Sequence, residues 1–224
     1  MHNYKYLQDT YIFNYESKIL EIGEYNELKY LVLEDTIFYP QGGGQEADKG
    51  FITQGKTKIN IVDTRKIDDK ILHFTEDSLE KIDTNKEITM QIDKENRILN
   101  ARLHTAGHLL SNIIETETKL TPTKGHQYQS GSYVECEGDI NEINSKLDLL
   151  NQRLQENLNK DLKITVTKDK NTKYRSIQIG NYKAVGCGGT HVKSLIEIGE
   201  INIRKIKNKK GKIKVSYSIS QTST

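Results

Sequence analysis

Cysteine is scarce in this chain, and long apolar runs are missing from it. Its 224 residues include only two cysteines, and the mean hydropathy is −0.70. Two cysteines cannot build a disulfide framework, so the sequence is unlike that of a small secreted scaffold. No segment is long and apolar enough to span a bilayer, and no apolar signal region follows Met1. We therefore expect a polar, cytoplasmic protein with no membrane partner, and the sequence predicts no particular oligomeric state.

Internal repeats and low-complexity linkers are also absent, and the hydrophobic pattern changes once, near residue 90. Before that point, short β-prone runs alternate with Gly and Asp/Asn turns. The clearest runs cover residues 29–33, 58–62, 71–74 and 87–92. This pattern is typical of a small antiparallel barrel or a curled antiparallel sheet. We predict that residues 1–90 form a first, N-terminal β-barrel domain.

After residue 90 the apolar residues take a helical period. Those at 98, 99, 103, 110, 113 and 114 outline a helix of about twenty residues that starts after Asp93. A second helix is predicted from a stripe made of Ile143, Leu147, Leu150, Leu154 and Leu158. A strand at 163–167 and a hairpin at 201–219 follow. The predicted fold class is α+β, in which the small barrel is followed, over 91–224, by a two-layer α/β core with an antiparallel sheet.

Two short segments carry metal-binding side chains, His104-Thr-Ala-Gly-His108 and Cys187-Gly-Gly-Thr-His191. In each segment two such residues are four apart, which on a helix places both on one face. The chain has only six histidines and two cysteines, so two such pairs exceed what chance provides. Imidazole nitrogens with one thiolate suit a tetrahedral zinc ion. We predict one Zn²⁺ per chain, with His104, His108, Cys187 and His191 as its ligands.

Two familiar site types are disfavoured by what is missing near these motifs. Thr105 follows His104, where a zinc protease has the glutamate that acts as general base. Residues 42–44 are three consecutive glycines, which allow backbone amides to approach a ligand closely. No Gly-Lys-Ser/Thr ending follows them, so they do not form a phosphate loop. Taken alone, the glycine segment favours a structural turn in a barrel.

The net charge of +2 is unevenly distributed. Residues 163–214 contain 14 Lys or Arg and only 3 Asp or Glu. Such a basic region suggests a polyanionic partner. A lysine-rich solvated surface without a partner is the alternative, and composition alone favours it.

Together, the motifs resemble the editing region of alanyl-tRNA synthetase. The matching segments are 36–45, 104–110, 187–192 and 197–199, in the order that the family has them. No aminoacylation domain precedes them and no long C-terminal domain follows, so we expect a free-standing editing protein of the AlaX type, in the longer form that keeps the glycine-rich barrel. The threonyl-tRNA synthetase editing domain shares the metal-type motifs but lacks the glycine-rich element, and is the weaker match.

The resemblance implies a deacylase that acts on tRNA(Ala) carrying the wrong amino acid. Its main substrate would be the seryl ester, with the glycyl ester as a second candidate. The family's metal ligands fall on the four predicted residues. Gln45 and Thr190 are implied as catalytic residues, and the implied substrate-binding positions are Thr36, Gly43, Gly44, Gln45 and His126. Just before the Cys motif, where the family often has a proline, this chain has Gly186.

Two other classes of function remain open at this point. A structural-zinc protein that binds RNA would need the metal ligands and the basic hairpin, but not the 36–45 loop. A metal-dependent hydrolase of another small ester or amide would need a pocket but not the lysines, and its activity would be insensitive to salt. Deacylation of tRNA predicts instead a steep loss of affinity with salt, because neutralising phosphates releases counterions.

Overall fold

The computed structural model describes residues 3–168, 175–209 and 211–220. The chain divides into two compact units: unit 1 consists of Met1–Gly42 and Glu46–Ile98, and unit 2 of Gly43–Gln45 and Leu99–Thr224. The boundary that we predicted between two domains, at residue 90, stays a prediction. Three lysines of the predicted basic region, Lys170, Lys173 and Lys210, lie outside the described residues. Within the described ranges, no helix is long and apolar enough to cross a membrane.

Unit 1 is built from strands. They are β1 (Asn3–Tyr4), β2 (Asn14–Tyr25), β3 (Leu28–Leu33), β4 (Asp35–Thr36), β5 (Gly50–Gln54), β6 (Thr57–Ile61), β7 (Asp63–Ile67), β8 (Lys70–Thr75) and β9 (Glu87–Ile92). Seven of them form one sheet in the order β6-β5-β9-β2-β3-β8-β7, with antiparallel pairing throughout.

The two edge strands of this sheet, β6 and β7, are joined by Val62 alone. The sheet must therefore curl to bring its two edges together. Val62 donates its N–H to the carbonyl oxygen of Phe74 on β8 at 2.9 Å, which holds this corner in place. The curled antiparallel sheet predicted from the β-prone runs is confirmed, and full closure of a barrel stays a prediction.

A fully buried ion pair lies in unit 1, between Arg97 and Asp48. Arg97 Nε donates to both carboxylate oxygens, at 3.1 and 3.0 Å, and Nη1 donates to the Thr10 carbonyl at 2.9 Å. Nη2 donates to Asp48 and to the Ile37 carbonyl. Asp48 also accepts the N–H of Tyr39 at 2.6 Å. Because both charges are removed from water, each depends on the other for compensation.

His73 on β8 is another buried polar residue of unit 1. Its Nδ1 lies 3.0 Å from the carbonyl oxygen of Leu31, which can only accept, so Nδ1 carries the ring proton. Nε2 then accepts the hydroxyl proton of Thr36 at 2.7 Å. Thr36 Oγ1 in turn accepts the N–H of Phe38 at 3.0 Å. Burial lowers the pKa of His73 to about 4, so the ring is neutral in the folded protein.

We expect His73 to make the protein less stable in acid. Its pKa is about 4 in the folded state against 6.5 when exposed, so between these values the unfolded chain binds more protons. The free energy of unfolding should fall as the pH drops from about 6.5 towards about 4, by about 3 kcal/mol from this residue. Urea unfolding of the wild type and of His73→Asn at several pH values tests this. The other five histidines are common to both proteins, so parallel pH curves would contradict the prediction.

Unit 2 combines helices with two antiparallel sheets. Its elements are α1 (Lys94–Glu117), which starts in unit 1, β10 (Thr121–Tyr128), β11 (Gly131–Glu137), α2 (Ile140–Asn144), α3 (Leu147–Asn159), β12 (Ile164–Lys168), β13 (Arg175–Ile179), β14 (Val185–Gly186), β15 (Ile201–Lys209) and β16 (Lys212–Ile219). The four-stranded sheet has the order β10-β11-β16-β15, and the three-stranded sheet has the order β12-β13-β14. The α+β class with antiparallel sheets is confirmed.

The long predicted helix is present as α1. Asp93 stands just before it and accepts the N–H of Asn96 at 2.9 Å, which caps the first turn. The helix packs on the inner face of the four-stranded sheet, where Tyr217 of β16 donates its O–H to the Leu103 carbonyl at 2.8 Å. The second predicted helix is wrong in one respect, because it is divided into α2 and α3. Lys146, which precedes α3, has a non-helical ψ of 10° that breaks the run.

Candidate metal centre

The four predicted metal ligands lie together in unit 2. The ligand atoms of His104, His108, Cys187 and His191 are all within 4.8 Å of one another. Cys187 Sγ is 3.1 Å from His191 Nε2 and 3.5 Å from His104 Nε2. His104 and His191 are buried, whereas His108 and Cys187 are half-buried. Three imidazoles and one thiol so close together could hold a metal ion.

The two halves of the cluster are positioned in different ways. On α1, His104 and His108 are one turn apart with nearly parallel rings, whose centroids are 5.1 Å apart and whose planes differ by 10°. Cys187 and His191, in contrast, lie in a loop that follows β14. Their spacing of four is therefore not helical, which corrects the geometric reason for that pair. Turns of the glycine-containing loop bring these two side chains together.

Gly189 allows this loop to approach the helix. A Cβ built on Gly189 would lie 2.0 Å from His104 Cε1, 2.3 Å from its Nδ1 and 3.0 Å from Gln45 Oε1. The two distances to His104 are shorter than any normal contact, so a larger residue would displace the imidazole or the loop. The Gly189 N–H also donates to Cys187 Sγ at 3.3 Å. Glycine at this position is thus a steric requirement of the cluster.

The orientation of the His104 ring is fixed by Gln45. Gln45 Oε1 accepts the backbone N–H of Thr190 at 3.0 Å, which identifies this atom as the amide oxygen. His104 Nδ1, 2.7 Å from the same oxygen, must therefore carry a proton and donate it. Nε2 of His104 therefore carries no proton, and its lone pair is on the side of Cys187. An outer partner of this kind fixes the tautomer and the direction of a metal ligand.

Thr105 does the same for His191. Its hydroxyl donates to the Ala101 carbonyl at 2.8 Å, and its oxygen lies 3.1 Å from His191 Nδ1. Because the hydroxyl proton is already used, His191 Nδ1 donates and Nε2 keeps the lone pair. Thr105 was noted in the sequence only as a residue that excludes a zinc protease. The position of Thr105 in the sequence does not indicate that it orients His191, because this contact depends on the tertiary fold.

Gln45 and Thr190, the predicted catalytic residues, contact each other. Gln45 Nε2 donates to Thr190 Oγ1 at 2.9 Å, and both residues are completely buried. Gln45 also orients His104 of the candidate metal centre, and a catalytic role for Gln45 and Thr190 stays a prediction. Gly43 and Gly44 precede Gln45 with positive φ values of 54° and 83°. A Cβ on Gly44 would lie 2.4 Å from the Gly125 carbonyl oxygen, so this turn also requires glycine.

The other two predicted substrate-binding residues are not part of this cluster of contacts. The hydroxyl of Thr36 is engaged within unit 1 by His73 and Phe38. His126 lies on β10, where its ring stacks on Tyr128. Its neighbour Gln127 is buried and points to the inner face of the sheet, so His126 points to the outer face. Substrate binding by Thr36 and by His126 remains a prediction.

The electrostatics of the cluster favour neutral imidazoles. Burial holds the pKa of His104 and of His191 well below the usual value and lowers that of His108 to about 4. Burial raises the pKa of the Cys187 thiol, against the opposing effects of the Gly189 N–H and of Arg175. Arg175, another residue missed in the sequence, donates to the Cys187 carbonyl at 2.6 Å. Neutral imidazole is the form that binds a metal.

Comparison with known proteins finds two family models that match parts of this chain. Residues 3–96 match the family model described as class II (A) tRNA synthetases, and residues 174–214 match the second additional domain of threonyl and alanyl tRNA synthetases. Both matches belong to tRNA synthetases.

The matches to individual proteins are more specific than those to the family models. The alanyl-tRNA editing protein AlaX-L of Pyrococcus horikoshii is 29% identical over 91% of this chain, which spans only 54% of that relative. AlaX-M of Saccharolobus solfataricus is 27% identical, over 96% of this chain and 97% of its own length. The alanine–tRNA ligase of Pyrobaculum aerophilum is 29% identical over 90% of this chain and 25% of the ligase. This chain is a homologue of the free-standing alanyl-tRNA editing proteins and is related to the editing region of alanyl-tRNA synthetase, as the motifs predicted.

Proposed function

We propose that this protein is a trans-editing aminoacyl-tRNA deacylase of the cytoplasm, which removes the wrong amino acid from tRNA(Ala). The observation that supports this most strongly is the cluster of three histidines and one cysteine, within 4.8 Å of one another, on the motifs that resemble those of editing proteins. The reaction is hydrolysis of an ester. Water adds to the acyl carbon, the bond to the ribose oxygen breaks, and free amino acid and tRNA are released.

The ion that we propose for the cluster is zinc, one per chain, held by His104, His108, Cys187 and His191. Nitrogen and sulfur donors in a tetrahedral set are those that zinc prefers, and the two oriented Nε2 atoms fit this assignment. When bound, such an ion supplies a positive charge that attracts an amine, a hydroxyl or a carbonyl oxygen of the substrate. Gln45 and Thr105 hold two of its ligands in the required orientation.

We expect the seryl ester to be the main substrate and the glycyl ester to be a further candidate. Serine is the amino acid against which an editing site, in addition to the synthetic site, is most useful. A synthetic pocket shaped for the methyl group of alanine discriminates against such small changes by only roughly 1–3 kcal/mol. A polar editing site can favour the seryl hydroxyl, because alanine would leave the site's polar groups without a partner. In this proposal Thr190 and Gln45 act at the reacting ester, and the substrate-binding set is Thr36, Gly43, Gly44, Gln45 and His126.

The experiment is release of serine from seryl-tRNA(Ala), with alanyl-tRNA(Ala) as the control substrate. We expect rapid release of serine, little release of alanine, and loss of both metal and activity in His104→Ala/Cys187→Ala. No serine release by a zinc-loaded protein would contradict the proposal.

Gln45→Ala separates the remaining classes of function. For a deacylase we expect this variant to lose activity and to bind zinc about 10- to 100-fold more weakly, since it lacks the outer partner of His104. If the wild type hydrolyses no ester and Gln45→Ala binds RNA as the wild type does, the protein is a structural-zinc RNA-binding protein. Hydrolysis of small esters that does not respond to salt would indicate the other hydrolase class.

A further inference from the structure

The outer face of the four-stranded sheet in unit 2 has an unusual composition. Val134, Val215 and Tyr217 point inward and are buried, so the residues between them point outward. The strand register places outward residues in two rows across the sheet, which are His126-Tyr133-Ser216-Lys205 and Lys124-Glu135-Lys214-Lys207. Aromatic rings and lysines therefore share one side of the sheet.

Three flat rings are grouped on this face. The His126 ring lies 4.1 Å from that of Tyr128 and 4.8 Å from that of Tyr133, with interplanar angles of 22° and 27°. The Lys214 ammonium is 4.2 Å from the centroid of the Tyr133 ring. Each of these four side chains is half-buried. Nearly parallel aromatic rings on an accessible sheet are the arrangement on which unpaired bases stack.

The face is also positively charged. Among its described residues, the glutamates Glu135 and Glu137 are opposed by six lysines, which are Lys124, Lys205, Lys207, Lys209, Lys212 and Lys214. Glu137 pairs with Lys212 and Glu135 with Lys214, the latter at 3.7 Å. Lys205 lowers the pKa of Lys207, because the two ammonium groups repel each other. Phosphates placed between these lysines would relieve that repulsion.

The aromatic group is next to the loop that supports the metal cluster. Gln127, between His126 and Tyr128, donates its N–H to the Gly44 carbonyl at 2.7 Å. The adjacent residue Gln45 bonds His104 of the cluster. The stacking surface and the candidate metal centre are therefore connected through one strand of unit 2.

We propose that this face holds the unpaired 3′ end of the RNA, with bases stacked on His126, Tyr128 and Tyr133 and with phosphates bound by Lys205 and Lys207. This inference rests on the proposed deacylase function, and it states where the acceptor strand is bound. The partner is recognised by its flat bases and its phosphate charge.

The test compares two uncharged RNA hairpins that differ only in an unpaired 3′ overhang. The overhang should strengthen binding to the wild type roughly tenfold or more, which is within the range that stacking provides. Tyr133→Leu should lose this preference, whereas Tyr133→Phe should keep it, because only the second variant retains a ring. Tyr25→Ala, at an exposed tyrosine of β2 in unit 1, is the matched control and should bind both hairpins as the wild type does.

The lysines are tested by the dependence of binding on salt. Lys205→Ala/Lys207→Ala should weaken binding of both hairpins and reduce the log–log salt slope by about 1.4 for two phosphate contacts. An unchanged slope would overturn the assignment of these two lysines. Equal binding of both hairpins by the wild type, or an overhang preference that survives Tyr133→Leu, would overturn the stacking assignment.

Because the hairpins carry no amino acid, this measurement does not depend on catalysis. Ring-dependent binding without release of serine would support the binding face and contradict the deacylase proposal. Release of serine by the wild type, together with an overhang preference that survives in Tyr133→Leu, would support the deacylase proposal and contradict the binding face.

Discussion

Gly189→Ala is expected to abolish metal binding at the candidate centre, and with it any deacylase activity. The added Cβ would lie 2.0 Å from His104 Cε1. His104 cannot move aside easily, because it is buried and its Nδ1 is bonded to Gln45. The ring or the loop carrying Cys187 must therefore shift, and a ligand is lost. The loss of affinity should exceed the roughly 10- to 100-fold that removal of an outer partner costs.

Gly188→Ala is the matched control in the same loop. A Cβ on Gly188 meets no atom within 4 Å, so this variant should bind metal as the wild type does. Competition with a chromophoric chelator gives both affinities, and circular dichroism shows whether each variant is folded. A folded Gly189→Ala protein with wild-type zinc affinity would show that the loop and helix do not approach each other as described.

Arg97→Met is expected to destabilise the protein by about 3–5 kcal/mol, because it leaves the Asp48 carboxylate buried without its partner. The substitution also removes the donors to the Thr10 and Ile37 carbonyls. Methionine is apolar and fills much of the same space, so the main effect is electrostatic. Chemical denaturation of the wild type and the variant at neutral pH measures the difference.

Arg65→Met provides the comparison within the same unit. Arg65 pairs with Asp63 at 2.6 Å, but its side chain is 40% exposed. Water already compensates both charges there, so the loss should be roughly 1 kcal/mol or less. Similar losses for the two variants would mean that burial of the Arg97–Asp48 pair has no special energetic weight.

Residues whose role follows from local periodicity were predictable from the sequence. The apolar period placed His104 and His108 on one face of a helix, and α1 confirms it. The alternation at 201–219 predicted the hairpin of β15 and β16. Strand β2, the longest in the described ranges, was missed because half of its twelve residues are polar and most are only partly buried or exposed, so no regular apolar alternation marks it.

Roles that depend on tertiary contacts were not predictable in this way. Gln45 was identified through its family motif, yet its bonds to His104 and Thr190 join residues far apart in the chain. Thr105 contacts His191 and Arg175 contacts Cys187, both candidate metal ligands, but nothing in the spacing of these residues along the sequence indicates the contacts. For His126, only the family resemblance implied a place near the site, and the strand register shows which face of the sheet it occupies.

Gly43–Gln45 belong to unit 2, although the residues on either side belong to unit 1. This limits the positions at which the gene could be cut to separate the two units. The polypeptide enters unit 2 for three residues, returns to unit 1, and enters unit 2 again at Leu99. A truncated chain confined to residues 99–224 would keep all four candidate ligands but lack the amide that orients His104. Such a fragment would have to supply another acceptor for that ring, so the two units are not modules that recombination could exchange independently.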